Sequence, residues 1–101
     1  MKMLMIVARG HISSDLLQIL RKNDVHAYTT VQKVRGTGEH GDVLESFFWT
    51  DYNLMILAVL PSDRADRVGD ALKAFHANMM KPGHGMTFPF RIFSFPCDQI
   101  L

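Results

Sequence analysis

The chain has 101 residues, a length that predicts one domain, over residues 1–101, with a single hydrophobic core. Hydrophobic residues make up 48% of the chain, which excludes an intrinsically disordered protein. The formal net charge is +1 and no run of lysine or arginine occurs, so the sequence argues against a nucleic-acid-binding surface.

The first half of the chain predicts a strand, a helix and a second strand. Residues 3–8 form an unbroken apolar run of strand length, which is typical of a strand covered on both faces. Residues 12–23 have the pattern of an amphipathic helix, and we expect Ser13 or Ser14 to cap its N-terminus. Residues 25–35 are rich in β-branched side chains, which favours a strand.

The second half of the chain predicts a third strand, a second helix and a fourth strand. Residues 53–60 form another unbroken apolar run. A second helix is predicted to start at residues 61–63 and to stop at Pro82, because its apolar side chains recur with a period of 3.6 residues. Residues 87–95 alternate loosely and are flanked or interrupted by Pro89 and Pro96, which indicates an edge strand.

This order, βαββαβ, predicts an α+β ferredoxin-like sandwich. Right-handed crossovers would place both helices on one face of a four-stranded antiparallel sheet, with the strands at 3–8 and 53–60 in its centre. The other face would still show large apolar side chains to water, more than a soluble monomer usually exposes. We therefore expect an oligomer that packs sheet against sheet.

Two glycine-rich segments are the strongest functional signal in the chain. The first, residues 34–41, reads Val-Arg-Gly-Thr-Gly-Glu-His-Gly and follows the second predicted strand; the second, residues 81–85, reads Lys-Pro-Gly-His-Gly and follows the second helix. Glycines expose backbone N–H groups without obstruction by a Cβ atom, and cations lie beside them in both segments. The pair therefore predicts one bipartite site for an anionic ligand.

On these segments the chain resembles the PII-type (GlnB-like) nitrogen-regulatory signal-transduction proteins. Residues 34–38 are similar to the family's entry into the T-loop, and residues 83–85 to its phosphate-binding B-loop. The resemblance runs from residue 1 to 38 and resumes from about 52 to 93. It implies a cytoplasmic homotrimer that binds an adenine nucleotide (AMP, ADP or ATP) in clefts between subunits. It also implies a regulated partner, such as an enzyme or a membrane transporter, that responds to the loop after the second strand.

The resemblance also implies a set of ligand-binding residues. Thr30 matches a family position that meets the base, and the amides of the second loop, together with Lys81, would receive the phosphates. The full set of implied residues is Thr30, Arg35, Gly36, Thr37, Gly38, Lys81, Gly83, His84 and Gly85.

The chain departs from the family pattern at several positions. The segment between Gly41 and Phe47 is too short for the long T-loop and has no tyrosine, so uridylylation of the usual kind is not expected. Glu39 or His40 replaces the glutamine that helps to hold Mg²⁺ and 2-oxoglutarate, and Met86 replaces the B-loop lysine. Residues 93–99 lack the usual pair of arginines. Fewer cations weaken triphosphate binding, so we expect AMP or ADP, or a different anion, to be preferred.

Two other classes of function stay open at this point. His40 and His84 lie on the two glycine segments and would hold a divalent metal in a trimeric metal-binding module of the CutA-like or metal-efflux-associated kind. A small enzyme on this fold is the third class. No nucleophile–base pair or carboxylate pair can be assembled from the sequence, so we predict no catalytic residue and a non-enzymatic regulator.

The cellular location is predicted from absences. Cys97 is the one cysteine, so no disulfide within the chain is possible, which fits a reducing compartment. No apolar stretch reaches the roughly 18 residues that span a bilayer, and the run at 3–8 is too short for a signal peptide. We expect a cytoplasmic protein without membrane insertion.

Overall fold

The structure is a computed structural model that describes residues 1–34, 37–38, 41–42, 52–81 and 90–101. Its elements in chain order are β1 (Lys2–Arg9), a 3-10 turn (Gly10–Ile12), α1 (Ser13–Lys22), β2 (Thr29–Val34), β3 (Thr37–Gly38), β4 (Gly41–Asp42), β5 (Asn53–Leu60), α2 (Ser62–Met79) and β6 (Arg91–Pro96). The predicted βαββαβ order is confirmed, and the short pair β3 and β4 is added to it.

Four strands form one sheet in the order β2-β5-β1-β6, and every neighbouring pair is antiparallel. The two central strands pair along their whole length, from Lys2 opposite Leu60 to Arg9 opposite Asn53. This confirms the predicted ferredoxin-like sheet with the two apolar runs in its centre. It also confirms the proline-flanked last strand as an edge strand.

The hydrophobic core lies between one face of the sheet and both helices. Alternate residues of the central strands point into it because successive side chains of a strand face opposite sides. The helices contribute Leu16 and Leu20 from α1, and Val68 and Leu72 from α2. The strand residues of this helix-covered face are Leu4, Ile6, Ala8, Leu54, Ile56, Ala58 and Leu60.

The opposite face of the sheet, which we call the open face, is also apolar. No element among the described residues covers it: Val59 is 43% exposed and Phe93 is 50% exposed. Its apolar side chains are Met3, Met5, Val7, Val31, Val34, Met55, Leu57, Val59, Phe93 and Phe95, and the register also places Thr29 and Arg91 on it. The expectation that the apolar strands are covered on both faces is therefore met on one face only within a single chain.

The N-terminus of α1 is stabilised differently from the prediction. No side chain caps the helix, so the expected capping by Ser13 or Ser14 is wrong. The 3-10 turn precedes the helix directly, and the Ser13 N–H group donates to the carbonyl oxygen of Gly10. The turn thereby supplies an acceptor for one of the N–H groups that have no partner within the helix.

The second strand begins later than predicted, at Thr29 instead of residue 25, because α1 ends in a Schellman motif. Asp24 adopts a left-handed φ of 63°. Its N–H group donates to the carbonyl oxygen of Arg21 at 3.1 Å, and the Val25 N–H group donates to that of Leu20 at 2.9 Å. Val25 is buried against the core, which is the hydrophobic contact expected of this motif.

The remaining boundaries differ by a few residues. The second helix ends at Met79, before Pro82. The last strand starts at Arg91, and residues 87–89 of the predicted strand lie outside the described part of the chain. No helix of the described residues is long and apolar enough to cross a membrane.

Candidate functional site

The flanks of both glycine segments meet at one end of the sheet, which we call the loop end. There β1 and β2 finish and β5 and β6 begin. In register, Val34 lies opposite Asn53, which lies opposite Arg9 on its other side. The first segment follows the end of β2 in the chain, and the second precedes the start of β6. The antiparallel topology therefore brings the described flanks of the two segments to one end of the sheet, as a bipartite site requires.

Few of the predicted ligand-binding side chains belong to the described part of the chain. Thr30 is half-buried in the edge strand β2, opposite Ile56. Lys81 is exposed just beyond α2. The backbone of Thr37 and Gly38 forms β3, which pairs with β4. The residues outside the described part are Arg35, Gly36, His40, Gly83, His84 and Gly85.

Arg9 is a residue at the loop end that the sequence analysis missed. It is 8% exposed, and it is the one buried charged side chain among the described residues. Burial of a cation is costly unless partners compensate, so buried charges concentrate at functional sites. The available signal was its position, since it directly follows an apolar strand run at the end where the glycine segments attach.

Further cations lie at the same end. Lys33 is the last residue but one of β2, Lys81 follows α2, and Arg91 begins β6 opposite Val7. With Arg9 they give the described residues of this end four cationic side chains. Such a surface attracts an anion, and an arginine can bind a phosphate or carboxylate through two parallel hydrogen bonds.

The backbone at the exit from β2 is irregular. The register of β2 against β5 shifts between Val31 and Val34, which is a β-bulge, and Lys33 within it has a left-handed φ of 60°. The Lys33 ammonium nitrogen lies 5.6 Å from the centre of the Tyr52 ring. The Tyr52 carbonyl oxygen accepts a hydrogen bond of 2.7 Å from the Gly10 N–H group.

The second segment is anchored to the core by Phe90, the first described residue after it. Phe90 is buried, its ring centre lies 5.8 Å from that of Phe75, and His76 meets it edge-on at 5.2 Å. A shallow groove of about 300 Å³ between α2 and β6 is lined by His76 and Phe90, together with Lys73 and Ile92. The position at which the described chain resumes before β6 is therefore fixed by packing.

The metal hypothesis depends on residues that the structure does not describe. Within the described ranges no group of three or more histidine, cysteine, aspartate or glutamate residues is arranged to hold a metal ion. His40 and His84, the predicted metal ligands, lie outside these ranges. The arrangement of the described residues thus offers an anion-attracting end and no assembled metal centre.

Solved structures similar to this one share its fold. CPII from Thiomonas intermedia K12, with ADP and bicarbonate bound, has a TM-score of 0.67 and 20% identity, over 93% of this chain and 84% of that chain. The same protein with ADP, AMP and bicarbonate bound gives a TM-score of 0.68 at 20% identity, with the same coverage. A putative PII-like signaling protein from Thermus thermophilus gives 0.62 at 16% identity, over 93% of this chain and 83% of that chain.

Sequence comparison points to the same group of proteins. No protein with a curated functional description matches the chain significantly. The family model of the nitrogen regulatory protein P-II matches residues 1–100. Because that match spans nearly the whole sequence, the chain belongs to the P-II family of signalling proteins.

Proposed function

We propose that this protein is a non-enzymatic regulator that binds an adenine nucleotide at the loop end, in clefts between the subunits of a homotrimer. Nucleotide binding would change the conformation of residues 35–51 and with it the affinity for a partner protein. The observation that carries the proposal is that the described flanks of both glycine segments, with four cationic side chains, lie at one end of the sheet. The P-II family and the ADP-bound and AMP-bound structures of CPII support it.

Trimer formation is supported by the open face. Its apolar side chains come from all four strands of the main sheet, and two of them, Phe93 and Phe95, are aromatic. Burying a large apolar side chain contributes about 1.5–3 kcal/mol, so covering this face with other copies would stabilise an assembly strongly. A closed symmetric assembly covers the same face on every subunit.

The ligand-binding residues proposed are those of the two segments and their flanks. Thr30, with Arg35, Gly36, Thr37 and Gly38, would line the cleft beside the base. Lys81, with Gly83, His84 and Gly85, would receive the phosphates through backbone N–H groups and side-chain charge. Since Met86 stands where the family has a lysine, the third phosphate lacks that cation. ADP and AMP should then bind at least as tightly as ATP.

Calorimetric titration of the purified protein with AMP, ADP and ATP tests the proposal. The expected result is saturable binding with about one site per chain, and an ATP affinity no higher than that of ADP. A matched variant, Gly83→Val with Gly85→Val, should lose most of the affinity, because Cβ atoms would obstruct the approach of phosphate to the backbone.

Three outcomes of this experiment would count against the proposal. They are no binding of any of the three nucleotides, a clear preference for ATP, and an unchanged affinity in the double glycine variant at unchanged oligomeric state. Titration with 2-oxoglutarate, bicarbonate and divalent metal ions on the same samples tests the other effectors.

A further inference from the structure

The bulge in β2 replaces a charged residue by an apolar one on the open face. Val31 pairs with Met55, and the next pair in register is Val34 with Asn53, so two residues of β2 oppose one residue of β5. Without the extra residue, Lys33 would occupy the position of Val34, since side chains alternate along a strand. The bulge thus turns Lys33 out of the ladder at the last step before residues 35–51.

Lys33 holds a backbone conformation that a lysine rarely adopts. Its φ of 60° lies in the left-handed region, which is unfavourable for residues with a Cβ atom. Such outliers persist where surrounding contacts determine them, and they are frequent at functional sites. A contact that can do this is present, because the Lys33 ammonium nitrogen lies 5.6 Å from the centre of the Tyr52 ring, within the range of a cation–π interaction.

Tyr52 connects this contact to β1. It directly precedes β5, and its carbonyl oxygen accepts a hydrogen bond of 2.7 Å from Gly10, the residue after β1. Lys33, Tyr52 and Gly10 therefore join the ends of three adjacent strands. We call this set the loop-base clamp.

We propose that the loop-base clamp fixes the spacing between the point where the chain leaves the sheet, at Val34, and the point where it returns, at Tyr52. Lys33 and Tyr52 are then positioning residues for the ligand at the loop end, and they act through each other without touching the ligand. This inference rests on the proposed function. It adds to that function the claim that residues outside both glycine segments help to determine the affinity for the nucleotide.

A double-mutant cycle tests the clamp. The disruptive variants are Lys33→Met, Tyr52→Leu and the two combined. They are compared with Lys33→Arg, which keeps a cation, and Tyr52→Phe, which keeps an aromatic ring. Lys73→Met, a change of an exposed lysine on α2, is the matched control. Two quantities are measured on each protein: the ADP dissociation constant by calorimetry, and the hydrogen-exchange rate of the Gly10 amide by NMR.

If the clamp exists, Lys33→Met and Tyr52→Leu should weaken ADP binding through the same contact. Each disruptive single variant should raise the ADP dissociation constant and the Gly10 exchange rate by about two- to fivefold, the range that a partly exposed cation–π contact supports. In the double variant, the ADP dissociation constant and the Gly10 exchange rate should rise no further than in either single variant. Lys33→Arg, Tyr52→Phe and Lys73→Met should stay within about twofold of the wild type.

Several results would overturn the clamp. If Lys33→Met weakens ADP binding and Tyr52→Leu does not, Lys33 contacts the ligand directly. Additive losses in the double variant, or unchanged Gly10 exchange in both single variants, would show that the two side chains are not coupled. If the wild type binds no adenine nucleotide, the proposed function fails, and the Gly10 exchange rates alone decide whether the clamp exists.

Discussion

The helix-covered face and the open face of the sheet are built from alternate residues of the same central strands, yet only one is buried within the chain. Ile56 is completely buried beneath the helices, whereas Val59, three residues later, is 43% exposed. Over residues 3–8 and 54–60 both faces are apolar in sequence. An unbroken apolar strand therefore indicates that both of its faces must be covered. The number of amphipathic helices indicates how many of those faces the chain covers itself.

The largest effect on stability is expected from shortening a buried side chain on the helix-covered face. Ile56→Ala removes methyl groups from a fully buried site and leaves a cavity, so we expect a loss of about 2–5 kcal/mol of unfolding free energy. Chemical denaturation followed by circular dichroism measures it. Val59→Ala is the matched control on the same strand, and a loss at Ile56 no larger than at Val59 would contradict the assignment of the core.

The next change separates assembly from folding. Leu57→Asp places a carboxylate on the open face, where the proposed trimer would bury it without a partner. We expect the assembly to dissociate while the far-ultraviolet circular dichroism spectrum keeps its helical content. Sedimentation velocity reports the assembly, and Leu57→Met, which conserves volume, should leave it intact. An assembly of unchanged mass in Leu57→Asp would show that the open face is not the interface.

A change at the loop end should affect ligand binding more than folding. Gly38→Val adds a branched side chain in a segment at the periphery of the core, so we expect the melting temperature to shift by only a few degrees. The affinity for ADP should fall by about tenfold, because the backbone can no longer approach the ligand closely. A steep fall in melting temperature with unchanged affinity would make Gly38 a structural turn residue only.

The smallest effect is expected at the end of α1. Asp24→Gly removes a side chain from a residue with a φ of 63° and a negative charge from the negative end of the helix dipole. We expect the protein to gain about 1 kcal/mol of stability. Asp24→Ala keeps the unfavourable backbone conformation and should gain less. A glycine variant less stable than the wild type would mean that the carboxylate makes a stabilising contact.

The strands and helices were predictable where periodicity and burial agree. The run at 53–60 was predicted at its observed bounds because both its faces are apolar and Pro61 follows it directly. Residues 25–28 were assigned wrongly to a strand, because the β-branched Val25 serves to cap α1. Strand propensity alone cannot distinguish a buried cap residue from the start of a strand.

The candidate site was predictable only in part. Glycines and neighbouring cations mark the two segments in the sequence, and the topology confirms that their flanks share one end of the sheet. The bulge at Lys33 carries no local sequence signal, since it depends on pairing between strands that are distant in sequence. The position of Arg9 after an apolar run was a signal, but its burial follows from the folded chain. Contacts of that kind become visible only in the folded chain.

The mass of the wild-type protein in solution tests the account most directly, because both the cover of the open face and a ligand cleft between subunits require an assembly. Multi-angle light scattering at micromolar concentration should give three times the 11.5 kDa mass of the chain. A stable monomer at that concentration would contradict the account.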